Sequence, residues 1–224
     1  FARSNRVREV SPRTLNLELA YFRAVFNELN RLGEWKGENP LKNMRPFRTE
    51  EMEMAWLTHD QISQLLGECK RHDHPDLETV VRICLATGAR WSEAESLRKS
   101  QLVKYKITYT NTKGRKNRTV PISKELYESL PDDKKGRLFG DCYGAFRSAL
   151  ERTGIELPAG QLTHVLRHTF ASHFMMNGGN ILVLQRVLGH TDIKMTMRYA
   201  HFAPDHLEDA VRLNPLNKTS AVME

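Results

Sequence analysis

No run in this 224-residue chain approaches the roughly 20 apolar residues that a membrane-crossing helix needs. No charged-then-apolar leader opens it, so nothing in it looks like a secretion signal. Cysteine is scarce. Cys69, Cys84 and Cys142 are odd in number and scattered, which fits reduced thiols better than a disulfide framework. A phosphate-binding P-loop is missing, so ATP-driven chemistry has no support. Internal repeats and low-complexity segments are missing too. Two arrangements with metal-ligand spacing also fall short. His164-Val165-Leu166-Arg167-His168 spaces its histidines as a zinc-protease helix does, but Val165 stands where such a site needs glutamate. His72-Asp73-His74-Pro75 reads better as a polar loop than as a metal grip. These absences lead to an expectation of a protein of the cytoplasm with no membrane partner.

Positive charge is what the chain has in excess. Thirty-four basic residues oppose 27 acidic ones, a formal charge of +7. Such an excess favours a nucleic acid or an anionic membrane surface, with an ordinary solvated surface as the plain alternative. The length allows one or two domains with a real core. The chain opens at Phe1 and runs at once into basic residues, which suggests a fragment whose true N-terminus lies upstream.

Periodicity predicts an α+β fold that is mainly α, with helices of an incomplete all-α domain ahead of it. Ser11 and Pro12 mark the start of one helix over residues 11–32, with Leu15, Leu19, Phe22, Phe26 and Leu29 at helical spacing. One helix cannot bury such a stripe alone, so residues 1–45 read as the end of a helical domain. Residues 46–57 read as a linker. A second unit, residues 58–203, begins with a Thr58/Gln61 capping box. Its next helix carries Leu77, Val80, Val81, Cys84 and Leu85 and stops at Gly88. Ser92 and Glu95 have capping-box spacing, which puts Arg90 in a tight joint between helices. Val103, Tyr105, Ile107 and Tyr109 alternate with polar residues, and Arg118-Thr119-Val120 leads to Pro121. This predicts a small antiparallel sheet, three-stranded, with Lys113 at a hairpin turn. Thr163 is expected to cap a helix that runs to about Asn177, and a short helix follows to Gly189. Asp192 is expected to cap the helix that leads to Tyr199. Pro204 is expected to open a tail helix, within residues 204–224, with Leu207, Ala210 and Val211 on one side.

One set of residues carries chemistry jointly. His164 and Arg167 share a face in the first turn of their helix, where free backbone N–H groups and the helix dipole favour an anion. Arginine's planar fork matches phosphate oxygens. Arg90 and His190 each follow a glycine stop in a joint between helices, and Tyr199 lies nine residues after His190. Alone, each has a plain structural reading: a surface pair, a capping histidine, an arginine partnering Glu93, a packing tyrosine. Together they can surround a phosphate and attack it. A phenol with its pKa near 10 needs a base or a strong positive field to react at neutral pH. Arginine and histidine donors suit the extra negative charge of the transition state. A lysine on a mobile hairpin, such as Lys113, can protonate the departing sugar oxygen. Nothing in this scheme needs a metal or another cofactor.

In the order and spacing of these stretches the chain resembles the tyrosine recombinases of temperate-phage integrase type. The stretches are residues 86–94 around Arg90, Thr112-Lys113-Gly114 with Arg118-Thr119-Val120-Pro121, residues 163–172 around His164 and Arg167, Leu188-Gly189-His190, and Arg198-Tyr199-Ala200-His201. The resemblance covers residues 58–203. It implies that Arg90 and Arg167 bind the phosphate and that His164 and His190 are the catalytic histidines. It implies further that Lys113 is the general acid and that Tyr199 forms a 3′-phosphotyrosyl bond. Glu93 occupies a supporting acidic position. Val165 departs from the family, which more often has an acid there, but the position is not a reacting one. Residues 11–45 resemble the last helices of the family's core-binding domain. The implied activity integrates or excises a mobile element, without ATP or metal. Four protomers would act on two double-stranded DNA sites, with accessory DNA-bending proteins as further partners, at the nucleoid of a bacterial host. Arg13, Arg115, Lys116 and Arg118 are candidate phosphate contacts. A relaxing topoisomerase and a DNA-binding regulator without catalysis are the other readings. Filled reacting positions disfavour the regulator, and the lack of an acidic constellation disfavours a metal-dependent transposase.

Overall fold

A computed structural model describes residues 10–49, 54–110, 117–132, 134–205, 209–213 and 215. It divides into two compact units, Phe1–Met52 and Glu53–Glu224. The division falls inside the segment expected to be a linker.

The first unit is built on α1 (Pro12–Arg31). Ser11 is its N-cap, accepting from the Thr14 backbone N–H, and Pro12 takes the first turn, where a missing N–H loses nothing. The chain after α1 folds back along it through polar contacts. The Asn16 side chain exchanges hydrogen bonds with the Phe47 backbone at 2.8 and 2.7 Å, and Arg23 Nε donates to the Leu41 carbonyl at 2.9 Å. Of the apolar stripe only Leu19 is buried, while Phe22 keeps 59% of its surface exposed. Phe26 meets the Trp35 ring edge-on at 5.2 Å, and the stripe is otherwise only partly covered within this unit.

In the second unit the chain runs through α2 (His59–Arg71), α3 (Leu77–Thr87) and α4 (Trp91–Glu95) into a small sheet. The sheet is β1 (Leu102–Val103), β2 (Lys106–Tyr109) and β3 (Arg118–Pro121), antiparallel in that order. Then follow α5 (Lys124–Glu128), α6 (Tyr143–Thr153), α7 (His164–Met176), α8 (Ile181–Leu188), α9 (Lys194–Met197) and α10 (Asp209–Arg212). The core is mainly helical, with Ile107 and Tyr109 of β2 and Val120 of β3 buried in it. Val80, Val81, Ile83 and Cys84 of α3 are buried, as are Val165 and Leu166 of α7. Burial pushes the Cys69 and Cys142 thiols up to about 12, so both stay protonated and apolar in character.

Several local expectations are borne out. Thr58 and Gln61 form their reciprocal capping box, worth on the order of 1 kcal/mol. Gly88 and Gly189 end α3 and α8 in the left-handed region, at φ +63° and +69°.

Others are corrected. Val103 to Tyr109 is not one strand: the chain turns at Lys104-Tyr105, with Tyr105 at φ +60°, so Val103 pairs with Lys106. The capping box of α4 belongs to Arg90 and Glu93, whose carboxylate takes the Arg90 backbone N–H at 2.8 Å, and not to Ser92 and Glu95. Thr163 flanks α7 without a side-chain cap. Asp192, expected to cap the helix that leads to Tyr199, instead stands one residue ahead of the N-cap: Ile193 is the N-cap of α9 without a side-chain bond, and Asp192 Oδ1 accepts the Lys194 N–H at 2.9 Å in a local turn. The end of the linker is part of the second unit. Leu57 is fully buried, its N–H donates to Thr169 Oγ1 at 2.9 Å, and Ala55 N–H donates to Gln161 Oε1 at 2.9 Å. Tyr199 lies beyond α9 and not within it, at the start of a 3-10 turn (Ala200–Phe202). In the tail, α10 exposes Val211, while Leu207 lies outside the described residues.

Candidate active site

The site forms where the ends of α3 and α8 meet the first turns of α7. Arg167 joins them. One guanidinium nitrogen donates to the Gly88 carbonyl at 2.7 Å and the other to the Leu188 carbonyl at 2.7 Å. Both carbonyls sit at helix C-termini, where the helix dipole favours a cation. This compensates an arginine that is 95% buried. Burial, followed by the positive charges of Arg90 and Arg118, pushes Arg167 down to about 10. The glycine stop after α3 also has a packing reason. A Cβ on Gly88 would lie 2.5 Å from Phe170 Cδ1 and 2.7 Å from Leu188 Cδ2.

Arg167 also donates to His190 Nε2 at 2.9 Å. His190 can accept that bond only when its proton sits on Nδ1, which then donates to the buried Thr196 Oγ1 at 2.8 Å. Burial, then the charges of Arg167, Arg90, Arg118 and Arg198, push His190 down to about 4. A neutral, oriented imidazole thus stands beside a cationic fork.

Arg90 is held from the other side. Glu93 accepts from its backbone at 2.8 Å and from its guanidinium at 3.1 Å. The same carboxylate takes both terminal nitrogens of Arg118 on β3, at 3.0 and 2.7 Å. Burial alone would raise Glu93, but the Arg118 bonds and charge, with Arg90, hold it at about 2. Arg118, a candidate phosphate contact by sequence, is therefore not a surface side chain. It is 93% buried, and its guanidinium carbon stacks 4.5 Å from the centre of the Tyr109 ring. Strand parity carries the signal: Arg118 shares the inward face with the buried Val120, and it pairs across the sheet with Tyr109.

Tyr199 is almost fully buried, at 2% exposure. Its hydroxyl lies 2.7 Å from Nδ1 of His168, the residue after Arg167 on α7. Burial raises the phenol's pKa, against the lowering pull of Arg167 and Arg198. The sequence singled out His168 only as half of a rejected zinc spacing. Its relation to Tyr199 spans 31 residues and left no local trace.

His164 sits exposed in the first turn of α7, its ring 6.3 Å from that of His168. Arg13 is exposed on the first unit. Lys113, Arg115 and Lys116 lie outside the described residues. The structure therefore brings Arg90, Arg167 and His190 into one cluster, with Glu93 behind them and Tyr199 one α7 residue away. Three guanidiniums (Arg90, Arg118, Arg167) face one carboxylate there, and that imbalance favours an anionic ligand. Among the described residues, no helix is long and apolar enough to cross a membrane.

Known proteins share this arrangement of chain. A profile described as "Phage integrase family" matches residues 55–138 and 139–206, and one described as "Phage integrase, N-terminal domain" matches residues 1–48. The chain is 97% identical over 216 residues to an integrase of Escherichia phage 186, covering 96% of this chain and 64% of that protein. It thus spans somewhat under two thirds of that relative's length. The solved catalytic domain of bacteriophage HP1 integrase superposes with a TM-score of 0.72 at 66% identity, over 74% of this chain and 98% of the other. The Tn1549 transposon integrase, solved in complex with a circular intermediate DNA, shares the fold with a TM-score of 0.69 at 19% identity, over 92% of this chain and 79% of the other. With its two helix ends tied by Arg167 and its tyrosine held against α7, the chain belongs to the phage integrase family.

Proposed function

We propose that this chain supplies the cutting and rejoining chemistry of a site-specific DNA recombinase that integrates or excises a mobile element. The observation that carries this reading is the cluster of Arg90, Arg167 and His190, with Tyr199 held at His168, the residue after Arg167. A phosphodiester entering the cluster meets fixed N–H donors and an excess of positive charge, which stabilise the transition state as its equatorial oxygens gain charge. Tyr199 Oη attacks phosphorus, the bond to the 5′ oxygen breaks, and a 3′-phosphotyrosyl link forms. Lys113 is the acid this reading assigns to the leaving 5′ oxygen, and His164, exposed at the start of α7, is the second histidine it assigns to the reaction. A 5′-hydroxyl from a partner duplex then reverses the step. Bond energy stays in the covalent link, so no nucleotide is consumed.

The finer reading is a homotetramer on two duplexes, with accessory DNA-bending proteins at the site. The exposed Val211 and Leu213 of the tail, at 72% and 68%, support a tail that docks on a neighbouring protomer. The test is a nicked suicide duplex bearing the attachment core of Escherichia phage 186. Wild type should form an SDS-resistant adduct and Tyr199→Phe none. An adduct in Tyr199→Phe would sink the nucleophile assignment, and relaxation without exchange between two sites would favour a topoisomerase.

A further inference from the structure

His168 is the hydrogen-bond partner of the Tyr199 hydroxyl among the described residues, at 2.7 Å. A buried phenol O–H needs an acceptor. His168 can be that acceptor because it is neutral: burial, followed by the positive charges of Arg198, His164 and Arg167, pushes it down to about 4. A charged imidazole would have no lone pair to offer. The side chain is also well fixed. It sits on the second turn of α7, between the buried Arg167 and the buried Thr169, and α7 packs against the 3-10 turn that follows Tyr199.

We propose that His168 is the general base of the reaction, taking the phenol proton as Tyr199 attacks phosphorus and returning it on rejoining. This rests on Tyr199 being the nucleophile. The balance of the step is simple. The Tyr199 O–H bond breaks and its proton moves to His168 Nδ1, while the O–P bond forms. The bond from phosphorus to the 5′ oxygen breaks, and that oxygen takes a proton from the acid assigned to Lys113. Rejoining runs each transfer backward. The phenol is held protonated before DNA arrives, and the entering phosphate's negative charge then favours an imidazolium beside it.

The experiment compares single-turnover cleavage of two nicked duplexes, one normal and one with a bridging sulfur at the scissile 5′ position. A thiolate leaves without a proton, so the sulfur substrate reports on attack alone. His168→Asn places an amide oxygen near the Nδ1 position, able to accept the phenol hydrogen bond but not its proton. Its cleavage rate is expected to fall by about 100-fold or more on both substrates, the usual scale for loss of a general base, with duplex binding kept. Lys113→Ala is expected to fall on the oxygen substrate and recover on the sulfur one. A His168→Asn rate within a few-fold of wild type reduces His168 to an orienting contact and overturns the proposal. Recovery of His168→Asn on the sulfur substrate overturns it as well, by moving its role to the leaving group. If His168→Asn does not fold, His168→Ala is used. Recovery with added imidazole supports the base, and a near-wild-type rate without it overturns the base. Tyr199→Phe in the same assay separates the two ideas. An adduct there removes the nucleophile reading, whereas an adduct missing there but present at full rate in His168→Asn removes only the base.

Discussion

Glu93 grips Arg118 with both carboxylate oxygens and at the same time holds Arg90, so one acidic side chain links strand β3 to a proposed phosphate ligand. The Glu93–Arg118 pair is close to fully buried, with side-chain exposures of 14% and 6%. Taking two charges out of water is costly, and breaking such a pair from one side costs more than the pair itself contributes. Its role here is geometric, because the same Glu93 carboxylate anchors the Arg90 guanidinium at 3.1 Å.

Glu93→Gln should therefore act twice. The amide cannot balance two guanidiniums, and Arg118 is left as an uncompensated buried charge. The expected loss of stability is about 3–5 kcal/mol, read as a lower urea midpoint with an unchanged slope. Cleavage should fall more than duplex binding does. An unchanged midpoint would mean that Arg118 finds water or another partner.

Acid should destabilise the protein in two stages. His168 and His190 are held at about 4 in the fold, below the ordinary 6.5, so the unfolded chain binds protons first as pH drops. Stability is then lost between pH 6.5 and 4 and is flat above. Glu93, held at about 2 against 4.5, contributes fully above pH 4.5 and loses that contribution as pH falls toward 2. Melting temperatures across pH 3 to 8 check this. His190→Asn should reduce the slope of the upper stage to about half, leaving the part due to His168, and an equal slope in that variant would contradict the assignment.

Two glycines with the same backbone sign should respond differently to alanine. Gly154 has φ +68° and open space around its missing Cβ, so Gly154→Ala should cost about 1–2 kcal/mol of left-handed strain. Gly88 adds the clash with Phe170 and Leu188, so Gly88→Ala should cost roughly 2–5 kcal/mol. Chemical denaturation of both variants gives the comparison. Equal losses would show that Phe170 yields without strain.

The burial of Tyr199 has a chemical readout. Without DNA, brief nitration should label Tyr143 and Tyr21, exposed at 46% and 63%, and spare Tyr199 and Tyr109, at 2% and 1%. Peptide mass spectrometry distinguishes them. Labelling of Tyr199 as fast as Tyr143 would mean that its hydroxyl is open before substrate arrives.

Local chemistry made much of this protein readable from its residues. Ser11 with Pro12, Thr58 with Gln61, and the stops at Gly88 and Gly189 act within a turn of their own position, so their effect is written where they stand. The order of Arg90, His164, Arg167, His190 and Tyr199 carried the family, because residue types at a set spacing can be read without knowing how they pack. Period-two alternation announced the sheet. It could not show the turn at Lys104-Tyr105, since a non-glycine residue at positive φ leaves no pattern in the sequence.

Pairing was a matter for the tertiary structure alone. Arg118 reads as one more basic residue near a hairpin, yet Glu93, 25 positions away, makes its burial tolerable. His168 reads as part of a failed zinc spacing, yet Tyr199 meets it from 31 positions away. A sequence states which charges and donors exist and where helices begin and end. Which of them end up within 3 Å, out of water and so strongly coupled, depends on how α3, α7 and α8 pack, and burial is what turns those meetings into chemistry.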